Sequence, residues 1–307
     1  MYPLVLVIGA AGLTALWLAG REPLEALPPP MHHLAVSHSR DVIVNGRLQK
    51  KITLDGGPLG EIGIVVNLPR PLPKQKLPVL VVLGGLGTGE NNIRMIDSAG
   101  ANAIVGYDWP IPMRFPEGKD FIRQLPELYR RVMRIPAQIA SAVDWLAAQP
   151  WADDTRISIL GFSMGALAAP AAQNLSEQTG RKIGWTIIAY GGAPLGRLFA
   201  GDPHIQPAWL RRVMGPLIDL LLQPVQPTAN LPHLSGHFLV LEGRDDALVS
   251  ADARARLRDA VPDPKDVIVL AGDHMGTGAG KKELLNEIIR VSRDWLTRNQ
   301  AVNPVKL

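Results

Sequence analysis

The order of apolar and amphipathic stretches predicts an α/β domain, a mostly parallel sheet flanked by helices with a small cap insertion. Three observations carry this. Continuous apolar runs such as Val79-Leu80-Val81-Val82-Leu83 suit strands covered on both faces. Helical patterns fall between such runs rather than in a separate block. The 307 residues suffice for one large α/β core.

Val42-Ile43-Val44, Lys51-Ile52-Thr53-Leu54 and Ile62-Gly63-Ile64-Val65-Val66 read as early strands, separated by the turn signals Asn45-Gly46 and Asp55-Gly56-Gly57. The Val79–Leu83 strand and Ala103-Ile104-Val105-Gly106 follow. A helix is expected from Pro136 to Gln149, with Ile135, Ile139, Val143 and Leu146 on one face, Pro136 in its first turn and Pro150 as its stop. Ile157-Ser158-Ile159-Leu160, Trp185–Ala189, Phe238–Leu241 and Val267–Leu270 supply four more strands. Helical patterns at Ala251–Ala260 and Lys281–Thr297 fill the remaining gaps.

Residues 192–235 break the alternation with many prolines and the apolar stretch Val213 to Leu222. An insertion this long between strands is usually functional. It reads as a small cap over the C-terminal edge of the sheet, and a contact with a membrane or a partner is the alternative. The domain itself is expected to span 41–299, with a tail at 300–307.

Residues 1–22 form a separate unit. Leu4 to Ala19 carries no charged side chain, and Arg21 and Glu22 follow it. Sixteen residues would reach about 24 Å as a helix, a little short of a hydrocarbon core of about 30 Å. The run is apolar all round, so a membrane anchor or signal segment is expected rather than a core helix. The Pro-rich stretch 23–40 then reads as a stiff linker. With no Lys or Arg before the run and Arg21 after it, the positive-inside rule places the domain on the cytoplasmic face. A signal-like segment ahead of a globular domain argues instead for the periplasmic or extracellular side, which is the expectation adopted.

Composition excludes several function classes. The net charge of +4 is slight for this length, and no basic stripe interleaved with aromatics occurs, so no nucleic-acid partner is expected. The absence of Cys removes disulfides, thiolate metal sites and a Cys nucleophile together. His32, His33 and His38 have no neighbours that complete a metal-ligand set.

The chemistry points to Gly161-Phe162-Ser163-Met164-Gly165. A serine on a sharp strand-to-helix turn needs strained backbone angles, and glycines two residues to either side let such a turn close. Ser163 then needs a base and an orienting acid. His274 follows the last strand in Gly272-Asp273-His274, and Asp245 and Asp246 follow the preceding one. Parallel strands deliver all three loops to one sheet edge, where open α/β sheets bind ligands.

These pieces resemble the α/β-hydrolase superfamily, from about Asp41 to Leu296. The matching motifs are Asp154-Thr155-Arg156-Ile157 leading into the Ser163 pentapeptide, Gly243-x-x-Asp246-x-x-Val249, and Gly272-Asp273-His274. The branches it looks most like are the serine esterases related to dienelactone hydrolase and the acyl-peptidases. The resemblance implies Ser163, Asp246 and His274 as catalytic residues, with Asp246 preferred to Asp245 for its spacing from Gly243 and Val249. It also implies an oxyanion hole from backbone amides of Met164 and of the loop Gly84-Gly85-Leu86-Gly87, with Leu86 the first donor candidate there and Gly85 the second. The family often carries His at the Gly84 position, and this chain does not. The implied activity is hydrolysis of a small-molecule carboxylic ester without metal or organic cofactor. The apolar stretch around Leu217 to Leu222 suggests an apolar acyl or alkyl group. A peptidase or amidase of the same fold, and a non-catalytic membrane-tethered binding protein, are the alternatives. Pro170, two turns into the helix after Ser163, is expected to kink or end that helix.

Overall fold

A computed structural model of the chain describes residues 23–85, 88–96, 99–112, 118–201, 208–275 and 281–305. One nine-stranded sheet runs through it in the order β1-β2-β3-β5-β4-β6-β7-β8-β9. β1 (Ala35–Val44), β2 (Arg47–Asp55) and β3 (Glu61–Leu68) form an antiparallel meander, and β3 joins β5 (Ala103–Tyr107) antiparallel. From β5 onward the sheet is parallel through β4 (Leu77–Leu83), β6 (Ala152–Phe162), β7 (Trp185–Ala189), β8 (His237–Gly243) and β9 (Lys265–Leu270).

Alternation along each strand builds two cores. Val79, Val81, Leu83, Ile157 and Ile159 face α2 (Gly118–Ala147) and α3 (Met164–Gln178), packing on Ile139, Val143 and Ala172. Leu80, Val82, Leu160 and Phe162 face the other side, where α8 (Lys281–Arg298) contributes Ile288, Trp295 and Leu296. α1 (Gly89–Arg94) follows β4, and α7 (Ala251–Ala260) lies between β8 and β9.

Several boundaries differ from the sequence expectation. The helix expected at Pro136 begins at Gly118 and passes through Pro126 and Pro136. Each proline forfeits one intrahelical bond, but buried Ile135, Ile139, Val143 and Leu146 anchor the later turns. α3 likewise continues through Pro170 to Gln178, anchored by buried Ala169, Ala171, Ala172 and Leu175.

The stretch 23–40 is not a free linker. It begins with a 3-10 turn at Pro23–Ala26, buries Leu27 and Leu34, and enters β1 at Ala35. The Met31 amide donates to Ser141 Oγ at 2.8 Å, and His32 Nδ1 lies 3.0 Å from Asp144 Oδ2. Its apolar side chains override the stiffness of its prolines. The tail is also packed: Ala301 and Val302 are buried, and Asn303 exchanges hydrogen bonds with Asn102 at 2.8 Å and 3.0 Å. The N-terminal run 4–19 lies outside the described residues, and no helix among them is long and apolar enough to cross a membrane.

The insertion between β7 and β8 holds α4 (Leu195–Gly201), α5 (Ala208–Leu221) and α6 (Pro227–Asn230). Asp219 Oδ1 ties it together, accepting from the Gly196 amide at 2.6 Å and from Gln226 Nε2 at 2.7 Å. The insertion leaves the sheet edge near Val249 and comes to rest against α2 and α3 through buried Val225. Leu217 and Leu221, in the stretch expected to bear on an acyl group, are exposed at 43% and 41%.

Candidate active site

β6 runs straight into α3, and the turn between them is the one the glycine spacing implies. Ser163 has φ 52° and ψ −113°, a region strained for any residue with a side chain. A Cβ on Gly161 would lie 2.6 Å from the Gly165 carbonyl oxygen, and one on Gly165 only 1.8 Å from that of Leu83. Gly161 is therefore a steric requirement of closing the elbow, and Gly165 of packing it against β4. The Ser163 amide is held by the Ala189 carbonyl at 2.8 Å, which couples the turn to β7.

Asp246 and His274 arrive on the loops after β8 and β9. Ser163 Oγ lies 2.9 Å from His274 Nε2, and His274 Nδ1 lies 2.8 Å from Asp246 Oδ2. Asp246 and His274 are both buried. An ionised carboxylate only accepts, so Nδ1 carries the ring proton and donates to Asp246. Nε2 is then left to accept from the Ser163 hydroxyl. The other Asp246 oxygen accepts from the Leu248 and Val249 amides, each at 2.9 Å. Arg254 of α7 fixes the same loop by donating to the Val249 carbonyl at 2.6 Å and that of Asp246 at 3.2 Å. Asp245 is exposed and presents its amide, not its carboxylate, to the partner loop, donating to Gly272 O at 3.0 Å.

Of the loop expected to hold the oxyanion, Gly84 and Gly85 are described. A Cβ built on Gly85 would stand 3.9 Å from Ser163 Cβ, so the Gly85 backbone closes one side of the site. Leu86 lies outside the described residues. Met164 opens α3, where a helix leaves its first amides without intrahelical acceptors. That leaves the Met164 N–H beside Ser163 without an intrahelical acceptor. The glycine at 84 also has a steric cause, because a Cβ there would fall 2.0 Å from Asn92 Oδ1. The start of α1 is pinned by the Gly89 amide donating to Asp108 Oδ1 at 2.6 Å.

Two further residues adjoin His274. Tyr190, just past β7 and with φ 57°, is buried and sets its ring edge-on to His274 at 5.6 Å and 88°. Burial, reinforced by the Asp246 charge, pushes its phenol up to about 12, so it stays protonated. Asp273 Oδ1 accepts from the Ala247 amide at 2.8 Å and from the His274 amide at 2.6 Å. Asp273 lies inside the Gly272-Asp273-His274 motif, whereas nothing local gives Tyr190 a part in the site.

On the α8 side of the sheet a cavity of about 320 Å³ is walled by Leu80, Val82, Leu160, Phe162, Met275 and Ile288 among others. Phe162 and Met275 are the chain neighbours of Ser163 and His274.

The strand order and the elbow together are those of the α/β-hydrolase fold, and solved structures agree. An acetyl xylan esterase of Thermoanaerobacterium sp. superposes with a TM-score of 0.60 at 14% identity, over 88% of this chain and 91% of the other. An acetyl xylan esterase of Paenibacillus sp. gives 0.59 at 17% identity, over 90% and 93%. A dienelactone hydrolase of Anabaena variabilis gives 0.51 at 15%, over 85% and 98%. At these identities the likeness is one of fold. No family model and no curated protein sequence matches the chain.

Proposed function

We propose that the chain is a serine hydrolase that cleaves a carboxylic ester through an acyl-enzyme on Ser163. The observation that carries this reading is the unbroken hydrogen-bonded series from Ser163 Oγ through His274 to Asp246, with both donor–acceptor distances below 3 Å. Ser163 Oγ attacks the ester carbonyl while its proton passes to His274 Nε2. Asp246 stabilises the imidazolium that forms and keeps Nδ1 protonated. The Met164 amide, with one from the Gly85–Leu86 loop, holds the oxyanion. The tetrahedral intermediate expels the alcohol, which takes the proton from Nε2. Water then attacks the acyl-enzyme with His274 as base, releasing the acid and restoring the Ser163 hydroxyl.

The substrate is a small-molecule ester. Two of the fold neighbours are acetyl xylan esterases by name, which favours an ester over an amide. The apolar cavity behind Phe162 and Met275 supports an apolar acyl or alkyl group. Residues 4–19 act as a membrane segment, a reading that rests on their uncharged sequence, and the domain lies on the exported side because the segment precedes it as a signal does.

The test is labelling with a fluorophosphonate probe, followed by hydrolysis of p-nitrophenyl esters of rising acyl length. Wild type labels and turns over, and Ser163→Ala does neither. Equal labelling of both forms removes Ser163 as nucleophile. A folded wild type that neither labels nor hydrolyses any ester removes the enzyme reading altogether.

A further inference from the structure

We infer that the outer faces of α2 and α5 form a single apolar surface that rests on a lipid bilayer, beside the point where residues 1–22 join the domain. This rests on the reading of residues 4–19 as a membrane segment and is independent of the chemistry at Ser163.

Two helical stripes make the surface. Leu125, Leu128 and Tyr129 lie at i, i+3 and i+4 on α2; Met214, Leu217, Ile218 and Leu221 lie at i, i+3, i+4 and i+7 on α5. Such spacing normally marks the buried face of a helix. Here Leu125, Tyr129, Leu217 and Leu221 are each between 40% and 43% exposed. Tyr129 Oη donates to the Leu221 carbonyl at 3.2 Å, so the stripes adjoin and form one patch. Contiguous apolar surface of this kind marks an interaction site rather than ordinary exposure.

The chain itself indicates the occupant. The 3-10 turn Pro23–Ala26 packs against the turn Gln223–Val225, which follows the end of α5 almost at once. Leu24 and Leu222 sit on the same buried cluster. The sixteen uncharged residues of the N-terminal run therefore join the domain at the foot of the patch, separated from it by few residues. A segment entering a bilayer there brings α2 and α5 to the membrane surface. The charge around the patch suits that surface. Between 123 and 134, α2 carries four arginines (123, 130, 131 and 134) against the single carboxylate of Glu127. Arg130 is 60% exposed and Arg131 45%. A tyrosine among leucines, edged by arginines, has the composition of an interfacial helix on anionic lipid.

The absence of cysteine makes the test direct. The full chain is prepared as Leu217→Cys, Leu125→Cys and, as control on the far edge strand β9, Val267→Cys, each carrying a nitroxide. Vesicles of mixed phosphatidylcholine and phosphatidylglycerol are added, and collision with oxygen is compared with collision with a water-soluble nickel chelate. The probes at 217 and 125 should gain oxygen access and lose nickel access by severalfold on vesicles, while the probe at 267 stays wet. Protein that floats with the vesicles yet keeps its 217 and 125 probes wet overturns the docking surface and leaves the anchor standing. Protein that does not float overturns both. Probes at 217 and 125 already shielded without vesicles overturn it too, with dilution dependence assigning the cover to a second copy and its absence to the N-terminal run. Ser163→Ala should dock like wild type, which separates this outcome from that of the catalytic reading.

Discussion

The carboxylate of Asp273 accepts the amide of Ala247 at 2.8 Å, bridging the loop that carries His274 to the loop that carries Asp246. The same oxygen accepts the His274 amide at 2.6 Å, so one side chain fixes the backbone of His274 and its distance from Asp246. Asp273 touches no reacting atom and is a positioning residue. Asp273→Ala should lower kcat by about tenfold to a hundredfold, the scale expected when a catalytic group is misplaced by a fraction of an ångström to an ångström. Asp273→Asn keeps an accepting oxygen and should recover most of the loss. Steady-state kinetics on both variants decide it; an Asn variant as poor as Ala shows that the amide bonds are not what matters.

The same residue gives a pH dependence of stability. The Ala247 amide first, and the His274 amide second, hold the Asp273 carboxyl below its ordinary value. A depressed carboxyl favours the ionised native state, so its contribution is present above the unfolded value and fades as pH falls through the folded one. Wild type should therefore exceed Asp273→Asn in thermal midpoint at neutral pH. The difference should shrink as pH drops below the ordinary carboxylate range. The group is partly open to solvent, so the effect is small, and scanning calorimetry at a series of acid pH values would show whether the gap closes in that direction.

Asp246→Asn tests the tautomer. The Asn amide can present either its oxygen or its NH2 to His274 Nδ1, and the Leu248 and Val249 amides, each 2.9 Å from Oδ1, require an acceptor on their side. The NH2 is thus turned toward the imidazole, which moves the ring proton to Nε2 and removes the base from Ser163. The loss should be about 10⁴-fold in kcat, the order seen for the same change in other serine triads, with KM little altered. A nearly active Asn variant would show that Asp246 does not set the tautomer.

How much of this was legible follows from where each constraint is local. The elbow could be read because two glycines at fixed offsets answer to one turn. The resemblance preferred Asp246 to Asp245 through its spacing to Gly243 and Val249, and Asp246 is the one whose carboxylate meets His274. Tyr190 could not be read, since its role is a ring stacked edge-on to His274, eighty-four positions away in the chain. The packed 23–34 stretch was missed because proline suggests stiffness, while Leu27 and Leu34 decide the matter through tertiary burial. The helix start at Gly118 was missed for the converse reason: Pro126 and Pro136 cost bonds that the amphipathic face of α2 outweighs.

Tyr190 separates packing from hydrogen bonding. Its hydroxyl is buried and finds no partner among the described residues, while its ring abuts His274 and the Gly243 backbone. Tyr190→Phe should leave kcat within about twofold, and stability unchanged or slightly higher, because it removes an unsatisfied polar group. Tyr190→Ala opens a cavity beneath the imidazole and should cost about 3–5 kcal/mol in stability. In the fraction still folded, kcat should fall while KM changes little. A Phe variant as impaired as Ala would instead assign the hydroxyl a direct part in the reaction.

The elbow glycines make the sharpest stability prediction. A methyl at Gly165 meets the Leu83 carbonyl oxygen at 1.8 Å and the carbonyl carbon at 2.5 Å. Both belong to the backbone of β4, which is paired with β5 and β6 on either side and has no room to yield. Gly165→Ala must therefore part α3 from the sheet, and should cost about 3 kcal/mol or more. Gly184→Ala is the matched control: nothing lies within 4 Å of its added methyl, and its φ is not in the left-handed region. It should be nearly neutral, with any change within about 0.5 kcal/mol. Urea unfolding of the two variants beside wild type compares them directly. Equal stabilities would mean that the contact between Gly165 and Leu83 does not set the geometry of the turn, and that the strained φ of Ser163 has another cause.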